Sequence, residues 1–292
     1  MNKNTLLYLL VLAMFLWGGG WTALKILTQY EKIEVVTFWR FFLMSIAFFP
    51  IIFLLKKKFI FSTQSILYIL IGSILNIVFM FFSYLGVKEG FAGAGSVIIT
   101  TLSPLITFLI IRILFKTKLV FLEIVGLLIG LIGAVILLHV DSIDVFLNSA
   151  NLYFLLAAFV WALITILAQK SHAFIHPIYY SFGISIVATF ISFIYSFETH
   201  LESIFSHNSS FWIALLYLSI FGQTIATTIF YVASGKLGSK VTSSFMFLVP
   251  VFALLIAHYI LGEIIMLPSI IGGILSIVSI FFINFSNNNK EA

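Results

Sequence analysis

At 292 residues the chain is 62% hydrophobic and 17% aromatic but only 9% charged, with 34 phenylalanines and a formal net charge of +5. Soluble domains are about 45–50% apolar and about 25% charged, so no soluble core could hide this much Phe, Leu and Ile; lipid must be the solvent for much of it. The absence of cysteine excludes disulfides, thiolate nucleophiles and Cys-ligated metals, and the basic residues form no single polar domain that would suit nucleic acid.

A helix needs about 20 apolar residues to cross the hydrocarbon. The charged and Gly/Pro breaks divide the chain into ten such runs: 5–27, 34–55, 66–87, 92–114, 121–139, 151–169, 177–197, 211–233, 241–261 and 264–285. The expectation is an all-α polytopic membrane protein. A cleaved leader is the competing reading of residues 1–25, but the apolar run is too long and lacks an A-x-A site.

The first run holds LWGGGWTALK, in which Trp17, Trp21 and Lys25 recur at i, i+4 and i+8 on one slowly drifting face, and Gly18, Gly19 and Gly20 let neighbouring backbones approach. In the second, Arg40 sits six residues beyond Glu34, about 9 Å along the helix. It either faces an anionic ligand or carbonyls, or snorkels outward to pair with Glu31 or Glu34. The third run carries Gly72, Asn76, Phe79 and Ser83 at helical spacing, and the fourth carries Gly93, Ser96, Thr100, Ser103 and Thr107. Such stripes line a cavity or let helices pack and share hydrogen bonds. In the fifth, Gly126-x3-Gly130 is a helix-sealing pattern, matched by Gly272-x3-Ser276 in the tenth. The sixth offers Trp161, Thr165 and Gln169; the eighth offers Ser219, Gln223, Thr227 and Tyr231. Pro104 and Pro250 lie within spans and are hinge candidates beside the cavity, with a fixed kink as the alternative. His172 and His176 are four apart but have no second pair of ligands nearby, so no metal site is expected.

The cations give an orientation. With the N-terminus cytoplasmic, the inner segments hold Lys3, Lys56, Lys57, Lys58, Arg112, Lys116, Lys118, Lys170, Lys236, Lys240 and Lys290, whereas the outer loops hold only Lys32 and Lys88. Both termini are therefore expected in the cytoplasm.

The two halves repeat. A shift of 144 residues carries Trp17 to Trp161, Trp21 to Thr165 and Lys25 to Gln169. A shift of 146 carries LSPLITFLI (102–110) to LVPVFALLI (248–256), Pro104 to Pro250, Gly126 to Gly272 and Gly130 to Ser276, and leaves Asn76 one position from Gln223. The expected units are 1–139 and 151–286, joined by an outer linker at 140–150 and followed by a tail at 287–292. Five spans per copy is odd, so the second copy must be inverted, an architecture of transporters that rock two bundles about a midplane site. Lys25 and Gln169 then fall at opposite ends of one pathway, as a pair of unlike gates.

The acidic residues Glu31, Glu34, Glu89, Glu123, Asp141, Asp144, Glu198, Glu202, Glu263 and Glu291 all lie in loops or at span ends. With no central carboxylate to relay protons, a facilitator or exchanger is expected, with His258 the sole candidate for proton coupling. No nucleophile motif, phosphate loop or nucleotide-binding pattern is present, so neither an enzyme nor a cofactor is expected. A membrane enzyme or a receptor on a duplicated bundle is the rival reading.

FLWGGGW (15–21), Arg40 in VTFWRFFL, GVKEGFAGAGSVIITTLSPLITFLI (86–110) and FYVASGKLGSKVTSSFMFLVPVFALLIAHYILGE (230–263) together resemble the EamA family of the drug/metabolite transporter superfamily. The second copy keeps the family's Gly262-Glu263 pair, whereas the first reads FKTKL (115–119), with Thr117 and no acid. The resemblance implies a ten-helix inner-membrane carrier of two inverted five-helix repeats, exporting small metabolites such as amino acids or their derivatives. It also implies a cavity lined mainly by the first, third, fourth, sixth, eighth and ninth spans. The aromatic wealth adds a preference for an amphipathic or aromatic solute over a bare cation.

Overall fold

The computed structural model describes residues 2–55, 62–116, 120–137, 149–261 and 267–291. Lys56, Lys57, Lys58, Thr117, Lys118, residues 138–148 with Asp141 and Asp144, and the Gly262-Glu263 pair lie outside the described residues.

The described residues are helical and contain no strand. Their helices are α1 (Lys3–Tyr30), α2 (Ile33–Leu54), α3 (Thr63–Glu89), α4 (Ala92–Phe115), α5 (Phe121–Leu137), α6 (Ser149–Ser171) and α7 (Pro177–Tyr195), then α8 (Ser209–Leu237), α9 and α10 (Leu267–Glu291). The helix α9 runs without a gap through Ser239–Ser244, a 3-10 turn at Phe245–Leu248 and Val249–Leu261. Eight of these are long and apolar enough to cross a membrane, and Phe121–Leu137 and Ile270–Asn284 are shorter apolar helices. Large apolar side chains such as Phe53 (90% exposed) and Ile113 (72%) stand on the outside of the bundle. A soluble monomer does not present such a surface; a lipid-facing one does.

Helix ends follow local chemistry. The Asn2 side chain accepts from the Thr5 amide at 2.8 Å and Ser62 from Ser65 at 3.1 Å, each satisfying an amide that the first turn leaves free. Pro177 opens α7, where its missing N–H costs nothing. The α8–α9 junction turns at Gly238, whose φ of 84° is open to glycine without strain. The connection after α7 is not featureless: Leu201–Ser206 forms a 3-10 helix. At the other end, α10 continues through Glu291, into the stretch expected to be a tail.

Helix pairing maps onto itself when α1–α5 and α6–α10 are exchanged. Helix α3 lies along α6, and its counterpart α8 lies along α1; α4 touches α6 as α9 touches α1. The pairs α2–α7 and α5–α10 each join a helix to its own counterpart, the second being the most extensive contact among the described residues. Glycine makes these approaches possible. A Cβ on Gly18 would stand 2.9 Å from the backbone nitrogen of Ala253, and one on Gly133 would stand 2.9 Å from the carbonyl of Gly272. The Ser279 hydroxyl donates across the same α5–α10 seam to the Gly126 carbonyl at 2.7 Å. Small residues at a seam allow van der Waals contact that lipid-facing Leu and Ile cannot reach.

The helix α8 holds a feature with no sequence signal. Its middle, Tyr217–Thr227, is a π-helix between two α-helical segments. The hydroxyls of Thr224 and Thr227 reach back five residues, to the carbonyls of Ser219 (2.9 Å) and Gly222 (3.1 Å). Elsewhere buried hydroxyls reach back three or four, as from Ser171 to Ala168 and from Thr165 to Trp161.

Candidate functional site

The two halves enclose a cavity of about 100 Å³. That is space for several waters, at roughly 10–15 Å³ of centre volume for each. Its walls come from α1 (Trp17, Gly20, Trp21, Leu24), α2 (Arg40), α3 (Asn76, Phe79, Met80, Ser83) and α4 (Ile99, Thr100). The second half supplies Trp161 from α6, Leu218, Gly222, Gln223 and Thr227 from α8, and Met246 and Val249 from α9. Trp17 and Trp161 sit near the middles of their helices, and Arg40 and Met246 lie about 10 Å in from opposite ends of the bundle by helix rise. The cavity is therefore central.

Aromatic rings form one wall. Trp161 meets Phe79 at 4.5 Å between centroids and Trp17 at 5.1 Å in an edge-to-face arrangement, and Phe230 closes on Trp17 at 5.0 Å. The Trp17 indole N–H donates to the Gly222 carbonyl at 3.1 Å, and the Tyr217 hydroxyl donates to Leu16 at 2.9 Å, fixing α1 against the π segment. Below, Tyr231 donates to Asn76 Oδ1 at 3.1 Å while the Asn76 amide donates to Gly72 at 2.8 Å. The Asn76 amide is thus bonded at both ends. Gln223 is not: its amide nitrogen meets only Met80 Sδ, at 3.8 Å, and its Oε1 is buried without a partner.

Of the sequence candidates, Trp17, Trp21, Arg40, Asn76, Phe79, Ser83, Thr100, Trp161, Gln223 and Thr227 line this one cavity. Ser96, Ser103, Thr165 and Tyr231 are buried but do not line it. Ser103 donates instead to the Ala158 carbonyl at 3.0 Å, joining α4 to α6. Pro104 lies inside an unbroken α4, whereas Pro250 follows the 3-10 turn of α9. His258 is on the exposed side of α9, away from the cavity. Among the described residues no cluster of His, Asp or Glu could hold a metal.

Lys25 and Gln169, expected as a pair of gates, do not line the cavity; each bonds a helix end. The Lys25 ammonium donates to the carbonyls of Val87 (2.7 Å) and Gly90 (2.8 Å), where α3 ends. Gln169 Oε1 accepts from the amide (3.0 Å) and hydroxyl (2.5 Å) of Ser239, where α9 begins. Each ties the first helix of its half to the hairpin between the third and fourth. The cation suits the carbonyl end of a helix and the amide oxygen suits the N–H end. Lys25→Met is expected to lower stability by about 1.5–3 kcal/mol, the range for hydrogen bonds from a charged donor, and to leave solute binding in the cavity unchanged. Thermal unfolding and binding titrations of the detergent-solubilised protein check both halves of this.

Arg40 does not pair with Glu31 or Glu34. The Glu31 carboxylate is taken by Ser203 and by His207, at 2.8 Å from the latter. That cluster fixes the α1–α2 turn to the segment before α8. Glu123, expected at a span end, is wholly buried in the first turn of α5 and paired with Lys240 at 3.1 Å.

Gly20, Leu24, Met80, Ile99, Leu218, Gly222, Met246 and Val249 line the cavity without having been candidates. The only available signal was register: Met80 is four residues after Asn76, and Gly222 adjoins Gln223. Helix α2 is likewise an addition to the expected walls, through Arg40 alone.

The EamA-like transporter family model matches residues 4–139 and 148–285, one match per half. An uncharacterized transporter of Archaeoglobus fulgidus is 24% identical over 287 residues, covering 96% of this chain and 97% of its own. A chloroplastic WAT1-related protein of Arabidopsis thaliana is 29% identical over 216 residues, 70% of this chain, which spans about half (51%) of that protein's length. An uncharacterized transporter of Clostridium kluyveri is 29% identical over 184 residues, covering 60% of this chain and 58% of its own. One solved crystal structure superposes with a TM-score of 0.74 at 16% identity, covering 100% of both chains, and so shares the fold. With family matches over both halves and a central cavity between them, the chain belongs to the EamA-like transporter family.

Proposed function

We propose that the chain is a secondary transporter that exports small metabolites, such as amino acids or their derivatives, by alternating access. The observation that carries this reading is the cavity itself: it is central, and both copies of the repeat contribute its walls. An inverted pair of five-helix bundles can expose such a site to one face and then the other, with near-equal energies for the two states. In this reading the chain makes ten crossings, and the cation distribution puts both termini on the cytoplasmic side of a bacterial inner membrane. The aromatic wall supports a solute with an apolar or aromatic body.

No carboxylate lines the cavity, and His258 faces away from it. Exchange or facilitated diffusion is therefore the proposed mode. In sealed proteoliposomes loaded with unlabelled solute, uptake of labelled aromatic amino acid or its derivative is expected by counterflow at equal pH on both sides. A screen that yields no counterflow with any metabolite overturns the transporter reading. Uptake that is steeply driven by a pH gradient and survives His258→Ala overturns the uncoupled mode.

A further inference from the structure

We propose that Arg40 is the anion subsite of the central cavity, and that the solute it receives is a monocarboxylate with an apolar body. This rests on the cavity being the substrate site. Arg40 lines the cavity, its Nε is buried with no hydrogen-bond partner, and the residue makes no hydrogen bond or ion pair among the described residues. Arg40 is half-buried, with its Nε shielded, and a cation withdrawn from bulk water without a counter-charge is costly to hold. Yet the two nearest carboxylates in sequence do not relieve it: Glu31 is engaged by Ser203 and His207, and Glu34 is six residues away on the same helix, about 9 Å by rise. The missing partner is best supplied from within the cavity.

The chemistry of the partner follows from what else the cavity holds. The planar guanidinium fork matches a carboxylate in a two-bond arrangement. Arg40 is the sole cation among the lining residues, so a single negative charge is neutralised whereas a doubly charged phosphate is not. Three further polar atoms, on side chains that line the cavity, are buried and unpaired: the Trp161 indole N–H, which can only donate, the Ser83 hydroxyl, and Gln223 Oε1, which can only accept. The first two can serve an anion. Gln223 Oε1 can accept from an N–H or O–H elsewhere on the same solute, and Trp17, Trp21 and Phe79 offer its body an apolar bed. A cationic solute would face Arg40 with no lining carboxylate to hold it.

The test uses the purified full-length protein in detergent and three matched probes: 3-phenylpropionate, 3-phenylpropionamide and 3-phenylpropylamine. Trp17, Trp21 and Trp161 report occupancy through intrinsic fluorescence. The acid is expected to bind roughly 10- to 150-fold more tightly than the amide, the loss expected for a charge-assisted hydrogen-bonded pair, and the amine not to bind. Arg40→Gln is expected to remove that preference, weakening the acid at least about tenfold relative to the amide. In the absence of ligand it should unfold at the same or a higher temperature, because a half-buried cation without a counter-charge has been removed; a purely structural arginine would give a lower one. Equal binding of acid and amide, tighter binding of the amine, an unchanged acid preference in Arg40→Gln, or no binding of any probe overturns the proposal. Counterflow of amides or amines but not acids keeps the transporter reading and sinks this one; Arg40-dependent acid binding without exchange does the reverse.

Discussion

Glu123→Ala is expected to destabilise the protein by about 3–5 kcal/mol, the range for removing one partner of a buried ion pair. The carboxylate is wholly buried, and the Lys240 ammonium it accepts from lies 3.1 Å away with only 15% of its side chain exposed. Lys240 also stands 5.0 Å above the ring of Phe108, so α4, α5 and α9 meet at this pair. A second bond, from the Val120 amide to Glu123 at 3.1 Å, caps the start of α5. Removing the carboxylate strands the lysine in an apolar wall. The double substitution Glu123→Leu with Lys240→Met is expected to recover most of the loss but not the cap, so it should fall short of the parent by about 1 kcal/mol. Unfolding of the detergent-solubilised single and double variants measures the coupling, and additive losses would show that the pair is energetically idle.

The second large effect separates two adjacent glycines of α10. Both replacements by Ala gain helix propensity, about 1 kcal/mol each. A Cβ on Gly272, however, would stand 2.6 Å from the Gly133 carbonyl and 3.2 Å from the Leu137 amide nitrogen, backbone atoms that move only if α5 moves. A Cβ on Gly273 would meet side-chain methyls of Val251 at 3.5 Å, an ordinary contact. Gly272→Ala is expected to lose about 1–3 kcal/mol by overpacking the seam, and Gly273→Ala to be neutral or to gain up to about 1 kcal/mol. Matched thermal unfolding curves decide it; equal shifts would mean that the seam yields.

Much of this molecule is legible in its sequence because lipid imposes simple demands. Apolar runs of crossing length, the repeat carrying Trp17 to Trp161 and Pro104 to Pro250, and the family motifs lead to a helical bundle whose two halves pair by the same rules. Polar stripes on α3 and α8 also reach the cavity, through Asn76, Ser83, Gln223 and Thr227. The apolar half of the cavity was not legible, since Leu24, Ile99, Leu218 and Val249 are the residue types that face lipid as readily as a site. Spacing alone also does not show what long polar side chains bond. Lys25 and Gln169 have the register of a pathway, but their reach lets them satisfy helix ends instead. Glu123 sits at a helix start by sequence, and only the neighbouring α9 shows that the start is buried.

The π segment of α8 bears on how the two copies came to differ in length. Their offset is 144 residues at Trp17 and Trp161 but 146 at Pro104 and Pro250, so the second copy is longer between these landmarks. A stretch closed by i→i−5 bonds holds more residues per turn than an α-helix. At Tyr217–Thr227 the surplus is thus carried inside a helix, against the cavity, as well as in the connections. Gln223 and Thr227, both within this stretch, line the cavity. The duplicated halves are thereby equal in plan but not in local pitch, and the unequal stretch is the one that carries Gln223, whose Oε1 is buried without a partner.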